Sequence, residues 1–317
     1  MLTSLCLLVA AGGMPPGDET PKPGSISGMV VNASQENAPV GGAEVALRVL
    51  VDGQFVIAGE TKTDGQGRFS FDNVPADPDY VYLPGASWET VHYSGERLRL
   101  DSRQRHVDVQ IPVRDVVKTP NPLTVRDHRI TVETEQNALR VTESLLVVNP
   151  GQSTYVGQRS GESTRAATLT LSIPPNFTRV TFHKEFYGRR FVVIDGKLVT
   201  DIPWEPGGRE LKFTYVLPRS EGQRAFERPL DLPTSRLLVT IPNADANQVT
   251  CNAAPTEHDD HTAVAFASEQ LPAGHVLRVD FGHLPVSLAA FAPWGAFVIV
   301  IGLIGATVLI LKRPSSP

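Results

Sequence analysis

Three stretches of this chain hold residue types that could do chemistry. The first is "EHDDH", Glu257 to His261, which sets His258 and His261 three apart with Asp259 and Asp260 between them. Imidazole together with carboxylate can hold zinc, manganese or iron. Bound metal there would make the chain a metal-dependent hydrolase. A catalytic zinc, however, needs ordered ligands on a rigid element. This stretch follows "NAAPT" and precedes "TAVAF", so it reads as a loop, and a solvated polar turn accounts for it. No metal and no cofactor is assigned; His258, Asp259, Asp260 and His261 remain candidate ligands.

The second is "DYVYLPGASWETVHY", which gathers Tyr80, Tyr82, Trp88 and Tyr93. Flat aromatic faces beside a few polar groups suit sugars, and interaction surfaces are rich in Tyr and Trp. Tyr80 and Tyr82 fall on one face of an expected strand, opposite Val81 and Leu83. Trp88 falls in a loop flanked by Gly and Pro. These four are candidate binding residues for a glycan. Rings that close the end of a core are the plainer explanation, since aromatics dominate cores.

The third is "TDGQGRFSF", Thr63 to Phe71. A phosphate loop needs glycines leading into a helix, whose N-terminal N–H groups meet the anion. Here the glycines lead into alternation: Phe69 and Phe71 share one face, while Arg68, Ser70 and Asp72 share the other. Asp64 can accept hydrogen bonds from the backbone two residues on, and Gly65 or Gly67 can take a positive φ. The stretch therefore reads as a tight turn into a strand. No Gly-x-Ser-x-Gly elbow appears, and the carboxylates are scattered. The expectation is a chain that is not an enzyme.

The elements that must position these residues are strands. "SISGMVVN", "GAEVALRVLV", "RFSFDNV", "DYVYLPG" and "HVDVQIPV" recur at sandwich spacing. After a linker, "VVKTPNP" (116–122), come "LTVRDHRITVE", "ALRVTESLLVVN", "AATLTLSIP", "RVTFHKEF", "RRFVVID", "ELKFTYVLP", "RLLVTIP" and "HVLRVDFG". "DG" at Asp195 and Gly196 is a strong hairpin signal. "RSGESTR" (Arg159 to Arg165) and "RSEGQRAFERPLDLP" (Arg219 to Pro233) read as exposed loops, the latter with Phe226 as an isolated apolar residue. The fold class is all-β: two β-sandwich domains in series, over 25–115 and 123–286.

The ends carry a different signal. "LTSLCLLVAAGG" reads as the apolar core of a secretory leader over 1–13, although it lacks a basic start. The lipoprotein alternative needs a small residue before Cys6, and Leu5 stands there. The Pro- and Gly-rich 14–24 is a flexible linker. With the leader removed, Cys251 is the one cysteine left and no intrachain disulfide is possible. Leu288 to Leu311 is uncharged and long enough to span a bilayer as a helix. Trp294 sits near one end, and Lys312 and Arg313 follow the other, which places the 312–317 tail in the cytoplasm. The net charge is −5, with no basic stripe, so nucleic acid is not an expected partner.

"GSISGMVVN…APVGGAEVALR…KTDGQGRFSFDNVP…YVYLPG" resembles the carboxypeptidase regulatory-like, or transthyretin-like, domain. The resemblance covers Ser25 to Val113. It implies a seven-stranded sandwich that serves exported and surface proteins as an accessory module, similar to carbohydrate-binding folds and non-catalytic. In the second region, "RDHRITVETEQNALRVTESLLVVNPGQSTYVG" and "ELKFTYVLP" are loosely similar to uncharacterised bacterial exported proteins, which implies no activity. The expected protein is a membrane-tethered, extracytoplasmic, non-catalytic binding or scaffold protein, held by one transmembrane helix, with another envelope protein or a glycan as partner. The alternatives are a carbohydrate-binding module at the surface or in the periplasm, and the hydrolase built on His258 and His261.

Overall fold

The computed structural model describes residues 23–135, 138–159, 166–183, 191–218, 225–257 and 262–282. The expected leader, the 288–311 span, the 312–317 tail and His258 to His261 lie outside them. So does 160–165, nearly all of the loop expected at Arg159 to Arg165. Of the 14–24 linker, only Pro23 and Gly24 fall inside, and they begin a strand. The regular structure is all strand, and among the described residues no helix is long and apolar enough to cross a membrane. The chain divides into two compact units between Asp115 and Val116.

In the first unit, Pro23–Asn32 is the spine of one sheet. It pairs antiparallel with Ala38–Pro39 and Arg68–Pro75, and parallel with His106–Val113. The other sheet runs Gln54–Lys62, Glu44–Val51, Tyr82–Trp88, Val91–Ser94, with each neighbour antiparallel. Successive side chains point to opposite faces of a strand. Val45 and Leu47 are therefore buried, while Glu44, Ala46 and Arg48 take the other face. Ile26, Val30, Phe69, Phe71 and Ile111 from one sheet and Tyr82, Ala86 and Tyr93 from the other supply the buried apolar side chains. The layering is sandwich-like.

The Thr63 to Phe71 stretch is the corner into Arg68–Pro75. Asp64 Oδ1 accepts from the backbone N–H of Gln66 and of Arg68, each at 2.8 Å. Gly67 takes φ +76°, and a Cβ there would lie 2.7 Å from the Val30 carbonyl oxygen. The acid satisfies the turn's own amides, so they hold no outside anion.

In the second unit, a seven-stranded sheet runs Arg179–His183, Gly207–Pro218, Ala138–Asn149, Thr124–Thr134, Thr234–Pro242, Ala263–Leu271, Ala254–Thr256. Only the Thr124–Thr134 and Thr234–Pro242 pair within it is parallel. Two three-stranded sheets accompany it: Leu169–Ser172, Lys197–Thr200, Val192–Ile194, and Ala225–Pro229, Val276–Phe281, Val249–Cys251. Asp195 and Gly196, with φ of 49° and 72°, form the expected hairpin turn. Val116 and Val117, inside the stretch read as a linker, pair with Thr154 and Tyr155.

Two readings of this region need correction. The stretch expected as an exposed loop at Arg219 to Pro233 contains the strand Ala225–Pro229, and Phe226 is buried rather than isolated. Phe226, Arg228, Leu230 and Leu232 all turn inward, because every second residue faces the core. Ala263–Leu271 was not expected at all. Its alanines carry little strand preference, and pairing with Thr234–Pro242 supplies what local preference lacks.

Candidate functional site

Two groups of ionisable side chains stand out, one sealed and one open. The sealed group lies inside the second unit. Ala138–Asn149 sends Leu139, Val141, Glu143, Leu145 and Val147 to its inward face, so the strand's parity places a carboxylate in the core. His128 from Thr124–Thr134 and Tyr215 from Gly207–Pro218 share that face. Arg228 comes from Ala225–Pro229 in another sheet. Exposure is 0 % for Glu143 and Tyr215, 1 % for Arg228 and 2 % for His128.

Glu143 is saturated. The Tyr215 hydroxyl donates to Oε1 at 2.7 Å, and Arg228 Nε donates to the same oxygen at 2.8 Å. Arg228 Nη2 donates to Oε2 at 3.2 Å, and His128 Nε2 lies 2.9 Å from it. A carboxylate accepts about four such bonds. Arg228 Nη1 donates to the Pro229 carbonyl and, at 3.1 Å, to Asp231 Oδ2. Asp231 Oδ2 also accepts the Ser172 N–H at 2.9 Å. Burial pushes the Glu143 carboxyl up, but the Arg228 charge and the hydrogen bonds from His128 and Arg228 outweigh it and hold it far below its ordinary range. Burial and the neighbouring carboxylate together push Tyr215 well above its own. With its lone pairs occupied, Glu143 has no position left for a ligand's proton, and the group acts as a clamp between sheets.

The clamp makes the second unit acid-sensitive. A carboxyl whose folded pKa is depressed contributes stability above its unfolded value, ordinarily 4.5, and loses it as pH falls toward the folded value. The unit is expected to lose up to about 1.4 kcal/mol per pH unit through this one group below that point. Urea titrations monitored by circular dichroism at stepped acid pH check it. Glu143→Gln should flatten the slope, and an unchanged slope would remove Glu143 as its source.

The open group lies on the outer face of the Glu44–Val51 sheet in the first unit. A recess of about 430 Å³ there is floored by Ala46 and edged by Glu44, Glu60, Lys62, Ser87, His92 and Arg48. The small residues create it. A Cβ on Gly85 would lie 2.7 Å from the His92 ring, so this glycine lets His92 lie across the Tyr82–Trp88 strand. His92 Nε2 then sits 2.7 Å from Arg48 Nη1, and His92 Nδ1 lies 3.3 Å from Ser87 Oγ. Arginine only donates, so Nε2 accepts and the ring proton sits on Nδ1. Burial first, and the Arg48 charge second, hold His92 below its ordinary pKa, which keeps the ring neutral. Glu44 pairs with Lys62 at 3.5 Å.

The candidate residues from the sequence are scattered. Tyr82 and Tyr93 are 2 % exposed and donate their hydroxyls to the carbonyls of Pro75 and Arg114. Tyr80 is 38 % exposed, with its ring centroid 6.3 Å from that of Tyr82. Trp88 ends the strand Tyr82–Trp88 instead of lying in a loop, and its ring is half-buried. The four rings share no open face. Among the described residues no group of His, Cys, Asp and Glu could hold a metal, while His258 to His261 lie outside them.

No family model and no curated protein matches the chain.

Sequence reasoning missed both groups, although a signal existed for each. Glu143 and Arg228 are charges at inward-facing parity among apolar neighbours, in "LRVTESLLV" and "FERPLDL". For the recess, the signal was Ala46 and Gly85 at outward-facing positions, where side chains are normally long and polar.

Proposed function

We propose that the chain is a membrane-tethered, extracytoplasmic binding or scaffold protein, non-catalytic and built from two β-sandwich modules in series. The observation that carries this reading is the recess above Ala46, an open and charged concavity on a floor of paired strands. Rigid strands present such a surface without an ordering cost on association. The buried ionisable groups of the second unit serve one another, which suits a scaffold. Sheets of short strands on either side of a shared set of buried residues support the resemblance of 25–113 to the accessory module. The tether rests on the uncharged run at 288–311.

Two measurements test the reading. A photo-crosslinking residue in place of Ile57, at the recess, should join the full-length chain in cells to a discrete partner. The same residue in place of Thr131, in the second unit, should not. Protease added to intact cells stripped of their outer layers should digest the two units and spare the C-terminal tail. A chain found free in the cytosol, or crosslinking that is equal at both positions, would sink the reading. The glycan alternative keeps only Tyr80 and Trp88 as reachable rings, and no observation favours it over the recess.

A further inference from the structure

Two of the charges around the recess, Arg48 and Glu60, stand without cancelling each other. Arg48 and Glu60 stand on neighbouring strands, and Glu60 faces Ala46, two residues along from Arg48. Diagonal neighbours of this kind lie about 7–8 Å apart, within reach of each other's long side chains. They do not pair. His92 draws the guanidinium the other way, over Gly85, toward the Val91–Ser94 strand. Among the described residues Arg48 has no carboxylate partner, and Glu60 has no partner. The structure therefore holds one cation and one anion apart across a small apolar floor, with the Glu44–Lys62 pair closing one side.

We propose that this recess binds a short zwitterion of unblocked dipeptide length, its carboxylate on the free edge of Arg48 and its ammonium on Glu60. The inference rests on the binding reading above and names the ligand class of the same site. Guanidinium offers a planar fork that fits a carboxylate, and His92 pre-orients that fork from behind. The strand carrying Glu60 and the strand over which Arg48 lies are two sheet spacings apart, roughly 10 Å. That spacing, less the reach of the two side chains, suits two charges separated by one peptide unit. A single amino acid is too short to meet both. The volume falls within the range of small-ligand sites. Ala46 and Ile57 offer apolar contact to small side chains.

The test is calorimetric titration of the full-length chain with three probes. Alanyl-alanine carries both charges, N-acetyl-alanyl-alanine only the carboxylate, and alanyl-alanine amide only the ammonium. Alanyl-alanine should bind saturably, with each blocked peptide about tenfold or more weaker, since a hydrogen bond to a charged group is lost. Arg48→Gln should abolish discrimination against the amide, and Glu60→Gln should abolish discrimination against the N-acetyl peptide, with both variants melting as the parent does. Equal affinity for the three probes, discrimination that survives both substitutions, or no saturable heat from folded chain would overturn the proposal. If the peptides fail while crosslinking at Ile57 still joins a discrete partner, the ligand class falls and the binding reading stands. If both fail, both readings fall.

Discussion

Arg228→Ala is expected to destabilise the second unit by about 3–5 kcal/mol, the cost of leaving a buried carboxylate without its charge partner. The substitution removes three donors' worth of geometry at once: Nε and Nη2 from Glu143, and Nη1 from Asp231. Glu143 then sits sealed between Tyr215 and His128 without the guanidinium that balanced it. Glu143→Leu should also destabilise, because it strands the guanidinium and leaves the Tyr215 hydroxyl without an acceptor. Each orphaned neutral group costs about 1–3 kcal/mol. The informative variant replaces the whole group: Glu143→Leu, Arg228→Met, Tyr215→Phe and His128→Leu together. A buried ion pair exchanged for well-packed apolar residues is often neutral or stabilising. The quadruple variant should therefore recover most of what the single substitutions lose. Urea denaturation followed by circular dichroism reads all of these. Single variants that cost less than about 1 kcal/mol would show that the group is open to water, contrary to its burial.

Trp204→Ala is expected to cost a similar amount, about 3–5 kcal/mol, by opening a cavity the size of an indole. Trp204 is fully buried among the core residues of the second unit. Its backbone exchanges hydrogen bonds with Tyr155 at 2.8 and 2.9 Å, and its carbonyl also accepts from Asn149 Nδ2 at 2.9 Å. Arg209 lies over the ring with its guanidinium carbon 5.5 Å from the centroid. The residue therefore joins a short bridge, a polar turn and the core at one point. Neighbours fixed by their own backbone bonds cannot collapse into the space, so the upper part of the range applies. Trp204→Phe should cost less than half as much, because most of the apolar contact survives. Thermal melts distinguish them, and a loss below about 1 kcal/mol for Trp204→Ala would mean that the site can collapse.

The first prediction concerns residues whose partners the strand pattern does not report. "ALRVTESLLVVN" was legible as a strand because Leu139, Val141, Leu145 and Val147 alternate. Glu143 belongs to the same series, yet alternation reports only which face a side chain takes. It does not report what waits on that face. Arg228 comes from a strand 85 residues further on, in a stretch dense with charge, and nothing local marks it as the partner. The rings behaved in the opposite way. Tyr80, Tyr82, Trp88 and Tyr93 form a cluster in sequence, but a core takes Tyr82 and Tyr93 and caps their hydroxyls with backbone carbonyls.

By itself the sequence determined the all-β class, many of the strand-forming runs, the hairpin at Asp195 and the corner at Asp64. Each of these follows from interactions within a few residues: alternating burial, positive φ at glycine, a carboxylate reaching its own backbone. Tertiary structure alone decided that the Thr124–Thr134 strand lies parallel to Thr234–Pro242 and that Ala263–Leu271 extends the same sheet. It also decided that Glu143 meets Arg228 and that Arg48 meets His92 across Gly85. Those contacts join residues far apart in the chain, and their energy exists only once the intervening loops have closed.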